Sequence, residues 1–166
     1  MITGRLCVSA TVFALAVPLG ACGPASAAAT CNTGSNPITV SATALAFGIY
    51  SPGASSPTDS NSTVKVSCTN TKNVLPSFTV ALSTGNAGSF HPRKMFNGSN
   101  TLSYNMFVNT AYSTIWGDGT SSTTTQSYSA SQGLSQASFT DYGQLAPAQF
   151  VNAGAYADTI TVTVAF

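Results

Sequence analysis

The sequence predicts an all-β sandwich, on three observations. Large apolar residues alternate with small or hydroxyl-bearing ones in several separate runs, the period of a strand with one buried face. Clusters of Gly, Pro, Ser and Asn punctuate those runs. The residues that clothe exposed helices are nearly missing: the 166 residues contain five Lys and Arg, four Asp and no Glu. Charged residues make up 5% of the chain, against about 25% in an average soluble protein. Their place is taken by 23 Ser and 23 Thr. With so few cations no stripe of Lys and Arg can neutralise a run of phosphates, which excludes nucleic acid as a partner.

Residues 1–27 read as a secretory signal peptide. Arg5 supplies the positive start, and Leu6 to Leu19 form an apolar stretch too short to span a membrane. Pro18 and Gly20 break that stretch, and Ala25-Ser26-Ala27 offers small residues for cleavage near 27–29. What remains, 28–166, has the size of one domain. Its cations, Lys65, Lys72, Arg93 and Lys94, are balanced by Asp59, Asp118, Asp141 and Asp158. A second reading stands beside the first. Leu19-Gly20-Ala21-Cys22 looks like a bacterial lipobox, in which Cys22 would carry the acyl chains that tie the protein to a membrane. Either reading exports the chain.

Cys31 and Cys68 survive simple cleavage, and an even pair in an exported protein reads as a disulfide with one connectivity. It would close a loop of about 38 residues, worth about 4 kcal/mol in the chain-entropy account. A metal site is not indicated, since no CxxC or His cluster accompanies the two cysteines.

The strands follow in order. Ile38 to Phe47 is built on Ile38, Val40 and Leu45. Thr63 to Thr69 places Val64, Val66 and Cys68 on one face, and Ser77 to Ser83 does so with Phe78, Val80 and Leu82. Leu102, Tyr104, Met106 and Val108 repeat the pattern. The most regular run is the last, Thr159 to Phe166, in which every second residue is large and apolar. Ser51-Pro52-Gly53, Ser56-Pro57, Asn97-Gly98 and Gly117-Asp118-Gly119 are turn chemistry. Ser121 to Ser138 is a Ser/Thr/Gln-rich tract, read as a long surface hairpin or a loop. This makes about six segments, one fewer than a seven-stranded sandwich requires. A sandwich short of a strand leaves an open edge, a template for strand addition.

Several short motifs occur together along the chain. They are Phe47-Gly48-Ile49-Tyr50, Phe78 to Gly85, Arg93-Lys94-Met95, Leu102 to Phe107 and Trp116-Gly117-Asp118-Gly119. Tyr142-Gly143-Gln144-Leu145 follows with Pro147 and Gln149, and Gly154 to Phe166 closes the series. In this order, over 31–166, the chain resembles the spore coat protein U domain family, shared with subunits of archaic, Csu-type chaperone–usher pili. The resemblance implies an immunoglobulin-like β-sandwich lacking its last strand. It implies a periplasmic chaperone that lends the strand, other pilus subunits that replace it, and an outer-membrane usher that exports the fibre. Ile160, Val162, Val164 and Phe166 would then line one side of a donor-strand groove. Each such side chain is worth about 1.5–3 kcal/mol on full burial.

One departure bears on role. A polymerising subunit needs an alternating extension ahead of its first cysteine, and Cys31 follows the expected cleavage site almost at once. The expectation is therefore an exported structural or adhesive subunit, in surface attachment or biofilm, that accepts a strand without donating one. It would be fibre-terminal or non-polymerising, in the periplasm and then at the cell surface. The alternative is a self-complete secreted module that binds carbohydrate or a surface.

The remaining candidates for chemistry are few. His91 is the one histidine, and without a G-x-S-x-G elbow a Ser-His-Asp site has no support. His91-Pro92 reads as an exposed turn, and Asp118 as a turn-capping carboxylate. Trp116 is the candidate surface contact, with a packed edge aromatic as the other reading. Tyr156 and Asp158 read as framework, the tyrosine as a buried ring whose hydroxyl needs a partner. Asn61-Ser62-Thr63 and Asn97-Gly98-Ser99 match the glycosylation sequon, as chance allows in so hydroxyl-rich a chain. Arg93-Lys94 is the one paired basic site, left open between meeting a carboxylate and solubilising a loop. No enzyme activity, cofactor or metal is expected.

Overall fold

The computed structural model describes the backbone of residues 2–13 and the full residues 30–31, 37–70 and 72–166. Pro18, Gly20, Cys22 and the expected cleavage site at 27–29 lie outside the described residues. The described chain is all β, apart from one short 3-10 turn at Ala130–Gln132. The strands are β1 (Ile2–Phe13), β2 (Ile38–Ala42), β3 (Ala46–Ile49), β4 (Thr58–Cys68) and β5 (Phe78–Leu82). They continue with β6 (Arg93–Asn97), β7 (Asn100–Phe107), β8 (Gln126–Tyr128), β9 (Gln136–Leu145) and β10 (Gly154–Ala165).

Hydrogen bonding connects them in the order β2-β4-β9-β7-β6-β10-β1-β3, with β5 on β10 and β8 on β5. The link between β6 and β10 is one residue pair, Phe96 with Ala157. At that junction the sheet turns over into two layers, β2-β4-β9-β7-β6 and β8-β5-β10-β1-β3. Ring contacts bridge the layers: Phe47 of β3 meets Tyr104 of β7 edge-on at 6.0 Å, and Phe78 of β5 meets Phe139 of β9 at 6.0 Å. The interior is apolar, with Leu45, Val66, Val80, Met95, Leu102, Leu145, Ile160, Val162 and Val164 all buried. Cys31 and Cys68 are joined, as the sequence predicts, which pins the chain ahead of β2 to the end of β4.

The predicted alternation holds where it is strongest. Val64, Val66, Cys68, Phe78, Val80, Leu82, Leu102, Tyr104 and Met106 all face inward. Elsewhere the elements differ for identifiable reasons. The run Ile38 to Phe47 divides in two, because β2 pairs with β4 in one layer and β3 with β1 in the other. Leu45 is fully buried at the crossing. β4 begins at Thr58 rather than Thr63, its first half being polar residues laddered against β9. Ser121 to Ser138 is not one long hairpin: it contributes β8, the 3-10 turn and the start of β9, and β8 pairs back with β5. β9 itself escapes a hydrophobicity reading because its inward positions include Ala137, Asp141 and Gly143. Gly143 is required there, since a Cβ would run into the Leu45 side chain.

Candidate strand-accepting groove

β10 carries two kinds of residue in strict alternation. Tyr156, Asp158, Ile160, Val162 and Val164 are buried, while the intervening Ala and Thr are exposed or half-buried. One edge of β10 is taken by strands of the domain, β6 at Ala157 and β5 from Val162 to Ala165. The other edge carries β1, parallel and in unbroken register over 12 residues from Ile2–Gly154 to Phe13–Ala165. β1 is paired on its far side with β3, antiparallel, through Thr3–Ile49, Gly4–Gly48 and Arg5–Ala46. The register slips between Gly4 and Arg5, and Gly48 adopts φ +70°, a left-handed value that favours glycine. Among the described residues β3 has no ladder partner other than β1. β1 therefore fills the slot between β10 and β3, and it is the segment the sequence reading assigns to a leader. In register, Leu6, Val8, Ala10 and Val12 lie opposite Asp158, Ile160, Val162 and Val164.

Three of the four expected groove residues, Ile160, Val162 and Val164, are fully buried along this slot. Phe166 is not. β10 ends at Ala165, and Phe166 is 39% exposed, its ring 5.6 Å from that of Phe78 on the β5 side. Phe78 stacks in turn on Tyr128 at 5.2 Å, so the aromatic preference of this terminus is met outside the slot.

Trp116 is corrected from candidate surface contact to core. Its ring is completely buried and Nε1 donates to the Val80 carbonyl at 3.0 Å, the usual requirement for a buried indole. Arg93 is corrected too: it belongs to no basic surface pair. Strand alternation sends it inward, where Nε donates to Ser83 O at 3.0 Å, one terminal nitrogen to Asn105 Oδ1 at 2.9 Å and the other to Trp116 O at 2.7 Å. Its guanidinium also lies 4.9 Å from the centre of the Phe90 ring. Burial lowers the Arg93 pKa, opposed by the fields of Tyr104, Asp141 and Asp158.

Asp158 forms the polar floor of the slot. One oxygen accepts from the Asn86 and Thr159 backbone N–H groups at 2.8 Å each, and the other accepts from the Tyr104 hydroxyl at 2.8 Å. Burial and this negative charge push the Tyr104 pKa far up. Gly85, at φ +71°, lets the loop close over Asp158, where a Cβ would collide with the carboxylate. Asp141 is the second buried acid. Ser62 Oγ donates to it at 3.1 Å, and burial pushes its pKa up to about 7 against the pull of Ser62 and Arg93. Neither Arg93 nor Asp141 was foreseen as a core group; the available signal was that each sits in phase with apolar neighbours, Arg93 with Met95 and Asp141 with Leu145.

The other candidates are placed plainly. His91 is exposed, sits with Pro92 in a turn as expected, and bonds through Nε2 to Ser121 O at 2.7 Å. Asp118 caps its turn, accepting from Thr120 N at 2.9 Å and Thr120 Oγ1 at 2.6 Å, which lowers its pKa. Tyr156 is buried and donates to Asn152 O at 2.8 Å. Among the described residues no group of three His, Cys, Asp or Glu is placed to hold a metal ion, and no helix is long and apolar enough to cross a membrane.

No curated protein matches the sequence. Among solved structures, one chain in the crystal structure of the CsuC–CsuE chaperone–tip adhesion subunit pre-assembly complex, from archaic chaperone–usher Csu pili of Acinetobacter baumannii, is similar. The likeness has a TM-score of 0.49 and 21% identity, and it covers 78% of this chain. The matched part spans 40% of the solved chain. The family profile of the Spore Coat Protein U domain matches residues 17–163, nearly the whole length. The chain belongs to the Spore Coat Protein U domain family.

Proposed function

We propose that the protein is an exported, non-enzymatic subunit of the chaperone–usher pilus type that works by accepting a β-strand between β10 and β3. The observation that carries this reading is the slot itself. A strand drawn from the segment read as a leader lies there in register over 12 residues, and among the described residues no other strand takes that place. Cleavage near 27–29 would remove that segment and leave the β10 edge unpaired over three buried apolar positions, Ile160, Val162 and Val164. Unmade backbone hydrogen bonds and exposed apolar side chains both favour a donated strand. In the periplasm the donor would be a chaperone. At the cell surface it would be the extension of a neighbouring subunit delivered through an usher, in a fibre serving attachment or biofilm. The short distance from the expected cleavage site to Cys31 supports a fibre-terminal or non-polymerising position.

A second reading is supported by the origin of β1. Because it comes from the same chain, the sandwich is self-complete for as long as residues 1–27 stay attached, and a carbohydrate- or surface-binding module would need no partner. One experiment separates the two. Residues 28–166 are prepared without the leader, and a peptide of residues 2–13 is added. The proposed function requires the shortened chain to be unstable or aggregating alone and to form a stable complex with the peptide. A stable monomer indifferent to the peptide would overturn it.

A further inference from the structure

We infer that a concavity beside β6, remote in sequence from β1, is a binding site for an acidic saccharide, one pyranose ring bearing a carboxylate. The cavity encloses about 260 Å³ between the outer faces of β6 and β7 and the loop that enters β6. Strand alternation places Lys94 and Phe96 on the face opposite the buried Arg93 and Met95, and Thr101 stands beside Phe96 on the neighbouring strand. Ala87, Ser89, His91 and Pro92 form the facing wall. That wall is held by three hydrogen bonds. His91 Nε2 meets Ser121 O at 2.7 Å, His91 N donates to Ser89 Oγ at 3.0 Å, and Asn105 Nδ2 donates to Phe90 O at 2.7 Å.

The chemistry of the lining selects the ligand. Lys94 is half-buried and has no ion pair among the described residues, so its charge is available to an anion within a concave, partly apolar surface. Three groups around it suit sugar hydroxyls. Ser89 accepts from the backbone and keeps its own O–H to donate, and Thr101 Oγ1 is unengaged among the described residues. His91, its Nε2 hydrogen given to Ser121 O, retains Nδ1 as an acceptor. Phe96 and Pro92 supply the apolar surface against which the C–H face of a pyranose packs. A bare inorganic anion would use Lys94 alone and leave the rest of the lining idle.

The test titrates the full chain with glucuronate, glucose and acetate, followed by backbone NMR. Glucuronate should shift the amides of Lys94, Phe96 and Thr101 and saturate in the millimolar range, with glucose and acetate each at least about tenfold weaker. Lys94→Gln should weaken glucuronate about tenfold or more, and Thr101→Val by a smaller factor with the fold intact. Equal binding of acetate would reduce the site to a simple anion contact and overturn the proposal. Equal binding of glucose, or no shift with glucuronate, would overturn it as well.

Discussion

Arg93 ties several elements of the interior together. Its three donors join the end of β5, through Ser83, to β7, through Asn105, and to the chain at Trp116. Arg93→Met would leave the Ser83 and Trp116 carbonyls without partners in the interior, at about 1–3 kcal/mol each, and take from Asn105 Oδ1 one of its two donors, the other being Met106 N. Urea unfolding should show a loss of about 3 kcal/mol or more, and Arg93→Lys should recover only part of it, since an ammonium cannot reproduce the fork. Asp141 makes a different prediction. Its carboxyl holds a proton up to about pH 7 in the fold, against an ordinary value of 3.8. Between those values the native state binds more protons than the unfolded chain, so stability falls as pH rises through the window. At about 1.4 kcal/mol per unit the effect is bounded at roughly 4 kcal/mol. Thermal unfolding at about pH 4.5 and about pH 7.5 should therefore favour the lower pH, and Asp141→Asn should flatten the difference. An unchanged profile in the variant would remove Asp141 as the cause. Gly85→Ala should also destabilise, through both its positive φ and the Asp158 carboxylate against it, as denaturant midpoints would show.

At the scale of the element, β10 is where sequence and structure agree best and where the proposed function is most exposed to test. Val162, paired with Ala10, is the central one of the three buried apolar positions along the β1 register. In the shortened chain, Val162→Asp should abolish capture of the 2–13 peptide, read by size-exclusion chromatography, because it sets an unpaired charge among Ile160 and Val164. The legibility of the strands follows from which residues face inward. β5, β7 and β10 bury Phe, Val, Leu, Tyr, Met and Ile, so their period of two is plain in the sequence. β9 and the first half of β4 bury or half-bury Asp141, Gly143, Ser60 and Ser62, and a hydrophobic period cannot register such residues. The proposed groove was legible as three apolar positions on the last strand. Its floor was not, because Asp158 is buried only by virtue of Tyr104 and Asn86, which are distant in the chain.

Across the whole molecule, cohesion is not electrostatic at the surface. The domain's few charges are divided between buried groups and half-buried or exposed ones that form no ion pair among the described residues, so stability should change little between about 0.1 M and about 1 M salt beyond general salting-out, which melting curves would record. The disulfide acts at this scale. Replacing Cys31 and Cys68 by Ser should cost about 2–4 kcal/mol, measured by denaturant unfolding under oxidising conditions. The seating of β1 has a mechanical consequence. A strand gripped on one side by β10 along its full length, and on the other by β3, is loaded in shear when pulled along its own axis. Its hydrogen bonds then share the force and must fail together, whereas peeling from one end would break them singly. A guest strand held in this way makes a joint that resists tension while remaining open to stepwise replacement from an end.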